Sequence, residues 1–511
     1  MPNNTLNSNL LNLLSNLNKK EHTEFGKWLR SPVHNNSKGI VQLYEGIKGV
    51  IQGDKVKSIF HLDMLKYIGA LPRSAKQQNI TSAHKKTLEQ LTYKLNVQLK
   101  DYLIWKKVKG DDILSNQQFI ETLLIRGMHN EMAPIIKQTK KKLHNYTYRD
   151  IYYCESAFKL SEMEFFLSKI LHNRNSEIVI GSTQNLLDRL REYNLSYLLK
   201  YLCAATSLEQ VFDAKLDYPL REAIRQHLAT HPDKEQASVG VYYRLLELLL
   251  NQRPEDYQEL KAFLFENLNV FETGEIRQFF NHMTNSCTLM IRNQNTNFIT
   301  EKHEIYEKGL ELECWTKNMF FSEFQFVHIV RNALLLEDKE EWTANFIIEY
   351  QSTLRQEVKD YVCSFCNALL AYHNKQFKEA MNRLPTQEVP KDFAYFLDIK
   401  ILKVKIHYDS DDWGFLPNGG YAILNELENI YNYVNHPSRE ITQNIRKQYT
   451  NFINIFKRIF NRKRRLDYPD DTSPVTQANL QALQNDLTHL KPLIERTWLE
   501  EKVTELMAAL E

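Results

Sequence analysis

Apolar side chains recur every three to four residues along most of the chain, in stretches that short polar turns separate. This period places them on one face of a helix. The clearest case follows Thr81 and ends near Gly110, and its apolar face consists of Leu88, Leu91, Leu95, Leu99 and Leu103. The same alternation continues from Ile113 to about Leu268. The pattern therefore predicts a chain built from helices.

Prolines and small polar residues mark the ends of the predicted helices. Pro32 follows Ser31, and because proline cannot continue a helix, we expect the next helix to cover Lys38 to Ile51. Further breaks are expected at Asn173 to Ser176, Tyr218–Pro219, His231 to Asp233 and Arg253–Pro254.

Three aromatic residues recur at a nearly constant interval in the C-terminal half. Trp342, Phe377 and Trp413 lie 35 and 36 residues apart, each after an apolar stretch and each followed by an alanine. One helical hairpin has this length, and it buries its apolar face only against a neighbouring hairpin. Ala368, Phe377 and Ala380 have the spacing of the small and aromatic positions of a tetratricopeptide repeat, which they resemble. The predicted fold class is all-α, a right-handed solenoid of tetratricopeptide-like hairpins.

The predicted helix breaks and the repeat spacing divide the chain into four predicted regions. These are a basic helical N-terminal region (1–112), divergent helical hairpins (113–273), tetratricopeptide-like repeats (274–465), and a linker with a C-terminal helix (466–511). In the last region Leu480, Leu483, Leu487, Leu490 and Ile494 have a heptad-like spacing that Pro492 interrupts. Packing against the preceding helices is therefore favoured over an independent coiled coil, which stays the alternative.

Cysteine usage and hydropathy indicate a cytoplasmic protein. Six cysteines are scattered through apolar segments of a 511-residue chain, which is typical of reduced, buried thiols. The first 21 residues lack a basic n-region and resemble an amphipathic helix instead of a signal peptide. No apolar run approaches the roughly 18 to 20 residues that span a bilayer, so no membrane partner is expected.

The formal net charge of +2 conceals an asymmetry along the chain. Residues 1–150 (the basic segment) contain 24 Lys and Arg against 12 Asp and Glu, whereas residues 151–440 (the acidic segment) contain 30 against 42. Two explanations stay open. The basic segment binds a polyanion, or the two segments attract each other within one molecule or between copies.

Neither of two candidate metal motifs has a complete ligand set. Cys363 and Cys366 lie three apart with His373 nearby, but a structural zinc site needs four ligands, so buried core thiols are expected. The acidic run from Asp409 to Asp412 is similar to a calcium loop, but its twelfth position is Gly420, so a solvated turn is expected. No metal and no cofactor are predicted.

Catalytic and phosphate-binding motifs are also missing from the sequence. It contains no G-x-x-x-x-G-K-[ST], GxGxxG, G-x-S-x-G or HExxH pattern. The prediction is therefore a non-enzymatic scaffold or adaptor that binds another protein, chiefly through residues 274–434. An unrecognised enzyme stays an alternative, and the oligomeric state is left open.

Two sets of residues are candidates for binding. The third repeat carries an insertion, and loops of this kind contact partners in many solenoids. The residues predicted there are Asp411, Asp412, Trp413, Phe415, Leu416, Asn418 and Tyr421. The alternative function, nucleic-acid or other polyanion binding, would use clustered lysines, with Tyr93 or Tyr102 stacking on bases if its ring is exposed. These lysines are Lys85, Lys86, Lys94, Lys106, Lys107, Lys109, Lys137, Lys140, Lys141 and Lys142.

One segment resembles a known group of proteins. Residues Phe25 to Pro32 (FGKWLRSP), followed by Asn35 and Asn36, resemble the opening FxKFLxSPxxNxN of a functionally unassigned group of all-helical proteins from Bacteroidetes bacteria. The hairpins after Tyr193 and the terminal segment Trp498 to Lys502 are also similar to that group. The resemblance implies a cytosolic, tetratricopeptide-like helical protein, and it implies no activity, ligand or catalytic residue.

Overall fold

The chain folds into helices joined by short turns. The computed structural model describes residues 8–51, 61–172, 174–212, 214–317, 319–385, 393–410, 419–437, 439, 441–467 and 474–510. The described residues form 23 α-helices and contain no β-strand. The predicted all-helical fold class is therefore confirmed. None of the described helices is both long enough and apolar enough to cross a lipid bilayer.

Ten of these helices lie among the described residues up to Thr230. In chain order they are α1 (Ser8–Ser15), α2 (Lys19–Arg30), α3 (Lys38–Ile51), α4 (His61–Tyr67), α5 (Ser82–Gly110), α6 (Asp112–Ile125), α7 (His129–His144), α8 (Ile151–Leu171), α9 (Ser176–Phe212) and α10 (Leu220–Thr230).

Thirteen helices follow in the rest of the described chain. They are α11 (Ala237–Asn251), α12 (Pro254–Glu266), α13 (Thr273–Arg292), α14 (Phe298–Glu311), α15 (Glu323–Ala333), α16 (Glu340–Tyr350), α17 (Gln356–His373), α18 (Phe377–Arg383), α19 (Phe393–Asp409), α20 (Gly419–Asn435), α21 (Gln443–Asp467), α22 (Gln477–His489) and α23 (Arg496–Ala508).

Side-chain caps and prolines explain several of these boundaries. The Thr81 hydroxyl accepts a hydrogen bond from the backbone N–H of His84 (3.3 Å) and starts α5. Asp111 ends α5 and also begins α6, because its carboxylate accepts the backbone N–H of Leu114 (2.9 Å). Pro254 is the first residue of α12, where its missing N–H costs nothing. The predicted helix over Lys38 to Ile51 is confirmed, as are the predicted breaks.

The chain divides into two compact units. The first unit contains Met1–Tyr201 and Gln226–Gly240, and the second contains Leu202–Arg225 and Val241–Glu511. The four regions expected from the sequence are not tested by this division and stay a prediction.

Two apolar clusters lie among the described residues of the first unit. In one, Phe25 packs edge-on against Tyr44 (ring centroids 5.0 Å apart) and at a tilt against Tyr102 (5.2 Å), and leucines of α5 belong to the same cluster. The other cluster joins α6, α7 and α8 around Ile120 and Leu160, both of which are fully buried. These clusters fix which face of α5 and of α8 is left for solvent.

In the second unit, helices that are neighbours in sequence pack on each other. Contacts run from α13 to α14, α14 to α15, α15 to α16 and α17, α17 to α18, and onward through α19, α20 and α21. Trp342 lies in the first turn of α16, and Phe377 is the first residue of α18. Trp413 lies outside the described residues.

The C-terminal segment packs into the core of the second unit. Leu480, Leu483 and Leu487 are fully buried in a cluster that also includes residues of α19, α20, α21 and α23, and Leu490 and Ile494 pack against it. Packing on the preceding helices is therefore confirmed over an independent coiled coil. The single predicted C-terminal helix is two helices, α22 and α23, because the chain breaks around Pro492.

Candidate binding surfaces

The structure separates the predicted polyanion-binding lysines into two groups. Three of them form ion pairs within the fold. Lys106 Nζ lies 3.0 Å from Glu24 Oε2 and 3.2 Å from Glu21 Oε1, Lys140 pairs with Glu164, and Lys142 pairs with Asp112. The others are exposed and form no ion pair with any described residue. They are Lys85, Lys86, Lys94, Lys107, Lys109, Lys137 and Lys141.

The exposed face of α5 combines lysines with apolar side chains. Spacings of seven, seven, four and three residues place one set of exposed residues opposite the buried leucines. This α5 lysine face consists of Lys86, Tyr93, Lys100, Ile104 and Lys107. Tyr93 is 70% exposed, so its ring is open to stacking. Tyr102 is fully buried and its hydroxyl donates to Glu24 Oε2 (3.0 Å), so the predicted stacking role is wrong for Tyr102.

The predicted partner-binding insertion falls on a part of the chain that the structure does not describe. Asp411, Asp412, Trp413, Phe415, Leu416 and Asn418 lie outside the described residues. Tyr421 belongs to α20, but its side chain is not among those described. A contact surface at this insertion therefore stays a prediction.

Asp409, at the end of α19, holds three helices of the second unit together. Its carboxylate accepts hydrogen bonds from the hydroxyl of Tyr372 and from Nε1 of Trp498 (3.2 Å), and it lies 3.2 Å from Nζ of Lys502. The Asp409 side chain is only 12% exposed. The expected solvated turn is therefore wrong at Asp409, because aromatic donors and a lysine from α17 and α23 replace water around its carboxylate.

A second ion pair lies beside this carboxylate. Lys405 Nζ is 2.8 Å from Glu495 Oε2 and lies over the rings of Tyr372 (5.3 Å) and Trp498 (5.4 Å). Burial raises the pKa of Glu495, but Lys405 and Arg331 outweigh burial and the net pKa is lowered. Every charged group of this network has a partner, so the network connects helices. Its members Lys405, Lys502, Asp409 and Glu495 therefore offer no unpaired base or nucleophile.

The Cys363–Cys366 pair lies inside α17. Cys366 is fully buried, Cys363 is half-buried, and burial raises the pKa of both thiols. A raised pKa keeps a thiol protonated, which disfavours both nucleophilic attack and metal binding. His373 Nε2 lies 3.0 Å from Oε1 of Glu340 on α16.

One group that the sequence analysis overlooked has metal-ligand residue types. The ligand atoms of His227, His231 and Asp233 in the first unit lie within 4.8 Å of one another. However, Asp233 Oδ2 lies 3.0 Å from Nε of Arg191, and His231 Nδ1 accepts the backbone N–H of Asp233 (3.2 Å). The carboxylate and one imidazole nitrogen are therefore already engaged, and two imidazoles alone make a poor metal site. The H-x-x-x-H-x-D spacing was the available sequence signal.

A cluster of positive side chains lies where α13 ends, α14 begins and α15 ends. We call Arg292, Lys302, His328 and Arg331 the cation cluster. Lys302 Nζ donates to Thr288 Oγ1 (2.9 Å), which joins α14 to α13. Asn332 Nδ2 donates to the carbonyl of Ile299 (3.1 Å), which joins the end of α15 to the start of α14.

The positive charges of the cation cluster disfavour one another. Burial, and then the positive charges of Lys302, Arg331 and Arg292, lower the pKa of His328 to about 4. Burial lowers the pKa of Lys302 to about 8, with Arg292 acting in the same direction. His328 and Arg292 are exposed and Lys302 and Arg331 are partly buried, so the cation cluster lies at the surface of the second unit and not in its core. In the sequence, only His328 and Arg331 have a spacing that places them on one face of a helix, because the other two members lie on different helices.

The turn between α8 and α9 exposes large apolar side chains. The two helices are held together by Ser168 Oγ and Ser182 Oγ (2.7 Å) and by Asn185 Nδ2, which donates to Ser161 Oγ (3.0 Å). Five side chains around the turn, which we call the hairpin tip, are between 39% and 66% exposed. They are Phe166, Ile170, Leu171, Ile178 and Ile180. Sequence reasoning missed this group because apolar residues near a turn look like core residues.

Comparison with known proteins identifies no relative of this chain: no family model, no curated protein and no solved structure matches it. The resemblance to the Bacteroidetes group stays a prediction.

Proposed function

We propose that this protein is a non-enzymatic scaffold that binds another protein in the cytoplasm, and that its helices form a tetratricopeptide-like solenoid. The observation that carries the proposal is the hairpin tip, where five large apolar side chains are exposed at one turn. Single exposed apolar residues are ordinary on a protein surface, but groups of them mark contact sites.

The surroundings of the hairpin tip support an interface. Polar and charged side chains border it, among them the exposed Lys169, Arg174 and Glu177. An apolar centre with a polar rim is the usual composition of a protein–protein contact. Complete burial of one such apolar side chain is worth about 1.5–3 kcal/mol, so a partner that covers several of them gains enough to bind stably.

The packing of the second unit supports the solenoid part of the proposal. Each helix from α13 to α21 contacts the next one or two along the chain, as stacked hairpins require. Trp342 and Phe377 start equivalent helices, and Ala368 and Ala380 are fully buried, which lets the paired helices approach closely. A second contact surface over residues 274–434 is part of the same proposal.

Copurification from the native cytosol tests the scaffold proposal. Tagged full-length protein should retain a stoichiometric protein partner after nuclease treatment. The double variant Ile170→Ser, Ile180→Ser should lose that partner, because it removes the centre of the hairpin tip. The matched control is Ile125→Ser with Leu335→Ser, which changes two isolated exposed residues (86% and 57% exposed) and should retain it. Retention by the tip variant would place the contact elsewhere.

A second candidate function, binding of a single-stranded nucleic acid, is favoured by the α5 lysine face. Lys86, Lys100 and Lys107 lie on one side of α5 with the exposed ring of Tyr93 among them, and lysines with an aromatic ring suit a backbone with stacked bases. Each phosphate contact contributes about 0.7 to the slope of log affinity against log salt.

Fluorescence anisotropy with single-stranded RNA over a salt series tests this second function. Changing Lys86, Lys100 and Lys107 to Gln should lower the slope by about 2. The control changes three lysines that are paired with Glu155, Glu311 and Glu307, namely Lys159, Lys308 and Lys339. A salt-independent affinity, or equal effects of the two triple variants, would rule out the α5 lysine face.

A further inference from the structure

We propose that the cation cluster is a binding site for a doubly charged oxyanion, that is, for a phosphate group of a ligand. The proposal does not rest on the scaffold function, and it assigns a ligand chemistry to a surface of the second unit. Its residues come from three consecutive helices whose ends meet: α13, α14 and α15.

Two hydrogen bonds fix the geometry of this site. The bond from Lys302 to Thr288 holds the ammonium group near the last turn of α13, which ends at Arg292. The bond from Asn332 to the carbonyl of Ile299 holds the last turn of α15 at the start of α14. His328 lies one turn before Asn332, so the cationic residues lie near the same end of the three helices.

The positive charges outnumber the negative charges that face them. Arg331 is paired with Asp398 (3.1 Å), and Glu495 also attracts it. Among the described residues, no carboxylate forms an ion pair with Arg292, Lys302 or His328. Glu301, the neighbour of Lys302 in sequence, is held 2.6 Å from Nζ of Lys261.

The remaining titratable groups near the cluster do not supply a negative charge. Burial raises the pKa of Cys287 on α13 to about 12 and also raises the pKa of Tyr306 on α14, so both stay neutral. The cysteines of α17, which packs on α15, have raised pKa values as well. The net charge of the cation cluster is therefore positive at neutral pH.

Neighbouring cations without paired carboxylates repel one another, and a bound anion removes this cost. Repulsion and lost hydration disfavour the charged forms of Lys302 and His328, as their lowered pKa values show. An oxyanion would be attracted by every member of the cluster and would make the charged forms favourable again. Gln325, one turn before His328 on α15, has a buried Nε2 without a partner among the described residues, and it adds a further donor.

The number and kind of donors favour phosphate over a carboxylate. Arg292 offers a planar fork of N–H donors, and Lys302 offers an ammonium group. The two full charges of Arg292 and Lys302 suit a dianion with three terminal oxygens. A carboxylate has one charge and two oxygens, so it would leave part of the cluster uncompensated.

Binding of inorganic phosphate to the full-length protein is the first test. The protein carries histidine labelled with ¹³C at Cε1, and the resonance that is missing in His328→Gln identifies His328. At pH 7 and constant ionic strength, phosphate should shift this resonance saturably, whereas acetate should not. Equal shifts with acetate would overturn the preference for a doubly charged ligand, and no shift with either anion would overturn the site.

Sulfate tests the linkage to the protonation of His328, because it stays a dianion in acid. In chloride the imidazole should stay neutral down to pH 5, since its pKa is about 4. At the same ionic strength in sulfate its pKa should rise by about one unit, which corresponds to tenfold tighter binding to the protonated form. An unchanged pKa in sulfate would contradict the proposal.

Lys302→Met separates a binding role from a structural one. Methionine fills a similar volume without the charge, so phosphate affinity should fall at least tenfold while thermal stability is kept or increased. Lys308→Met is the matched control on the same helix, because Lys308 is already paired with Glu311 (2.8 Å), and it should bind like the wild type. Arg292→Gln is a second loss variant at an exposed position. Wild-type affinity in both loss variants would overturn the site.

Discussion

At the residue scale, the carboxylate of Asp409 connects three helices. It accepts hydrogen bonds from Tyr372 and Trp498 and pairs with Lys502, so α17, α19 and α23 all depend on it. Hydrogen bonds to a charged group contribute about 1.5–3 kcal/mol to stability. Asp409→Asn should therefore lower the free energy of unfolding by about that amount, measured by denaturant unfolding.

The control for this change is Asp360→Asn. Asp360 is exposed on α17 and forms no ion pair with a described residue, so the substitution should change stability by less than about 0.5 kcal/mol. Equal effects of the two substitutions would mean that the contacts of Asp409 add nothing to stability.

His328 predicts a dependence of stability on pH. Its pKa is about 4 in the folded chain against 6.5 ordinarily. Between these values the unfolded chain binds a proton that the folded chain does not. The free energy of unfolding is therefore highest above pH 6.5, as far as His328 is concerned, and falls as the pH falls toward 4. The groups that face His328 are Lys302, Arg292 and Arg331, all positive, and none of them reverses the sign.

Denaturant midpoints at pH 7.5 and pH 5 measure this linkage. The wild type should lose more stability between these pH values than His328→Gln, because glutamine does not titrate. Other histidines with lowered pKa, such as His282 and His303, titrate equally in both proteins and cancel in the comparison. The same loss in both proteins would show that His328 is not the group responsible.

The sequence could not predict these residue-scale sites. Asp409 was expected in a solvated turn, and its partners Tyr372, Trp498 and Lys502 lie 37 to 93 positions away in the sequence. Periodicity shows which residues share a face of one helix, but it does not show which faces of different helices meet. The cation cluster was missed for the same reason, since its members come from three helices.

At the element scale, the sequence predicted several helix boundaries correctly, in contrast to the residue-scale sites. The apolar period and the prolines located the helix over Lys38 to Ile51, the end of α5 at Gly110 and the start of α12 at Pro254. These boundaries depend on local chemistry that a sequence displays. The C-terminal helix was predicted as one because its leucines kept their spacing across Pro492, although proline cannot donate the hydrogen bond that would continue the helix.

Close packing of α14 gives a prediction for a single helix. Gly309 is buried in α14, and a methyl group there would overlap the ring of Trp315. Trp315 also contacts Phe280 and Tyr306 and donates to Asn281 (3.3 Å), so it cannot move away freely. Gly309→Ala should therefore lower the free energy of unfolding by about 1–3 kcal/mol, although alanine is the better helix former.

Gly181→Ala is the matched control for this packing effect. Gly181 lies in α9 with no heavy atom within 4 Å of the added methyl group, so only helix propensity changes. The substitution should raise stability by about 0.5–1 kcal/mol in the same denaturant experiment. A stabilising Gly309→Ala would mean that Trp315 has room to repack.

At the scale of the whole molecule, charge and apolar exposure suggest different kinds of association. The basic segment (1–150) and the acidic segment (151–440) are opposite in charge, which would draw copies together at low salt. The hairpin tip would associate through apolar contact, which salt does not weaken. The two causes can be separated because added salt screens exposed charges within about 10 Å at 0.1 M.

Light scattering during size-exclusion chromatography should distinguish them for the full-length protein without a partner. We expect concentration-dependent self-association that persists in 0.5 M NaCl and disappears in Ile170→Ser, Ile180→Ser, while Ile125→Ser with Leu335→Ser behaves like the wild type. The reason is that a tip lacking its natural partner can bury apolar surface only against another copy. Association that salt abolishes, with no effect of the tip variant, would instead favour attraction between the basic and acidic segments of different molecules and would weaken the case for the hairpin tip as the scaffold's contact surface.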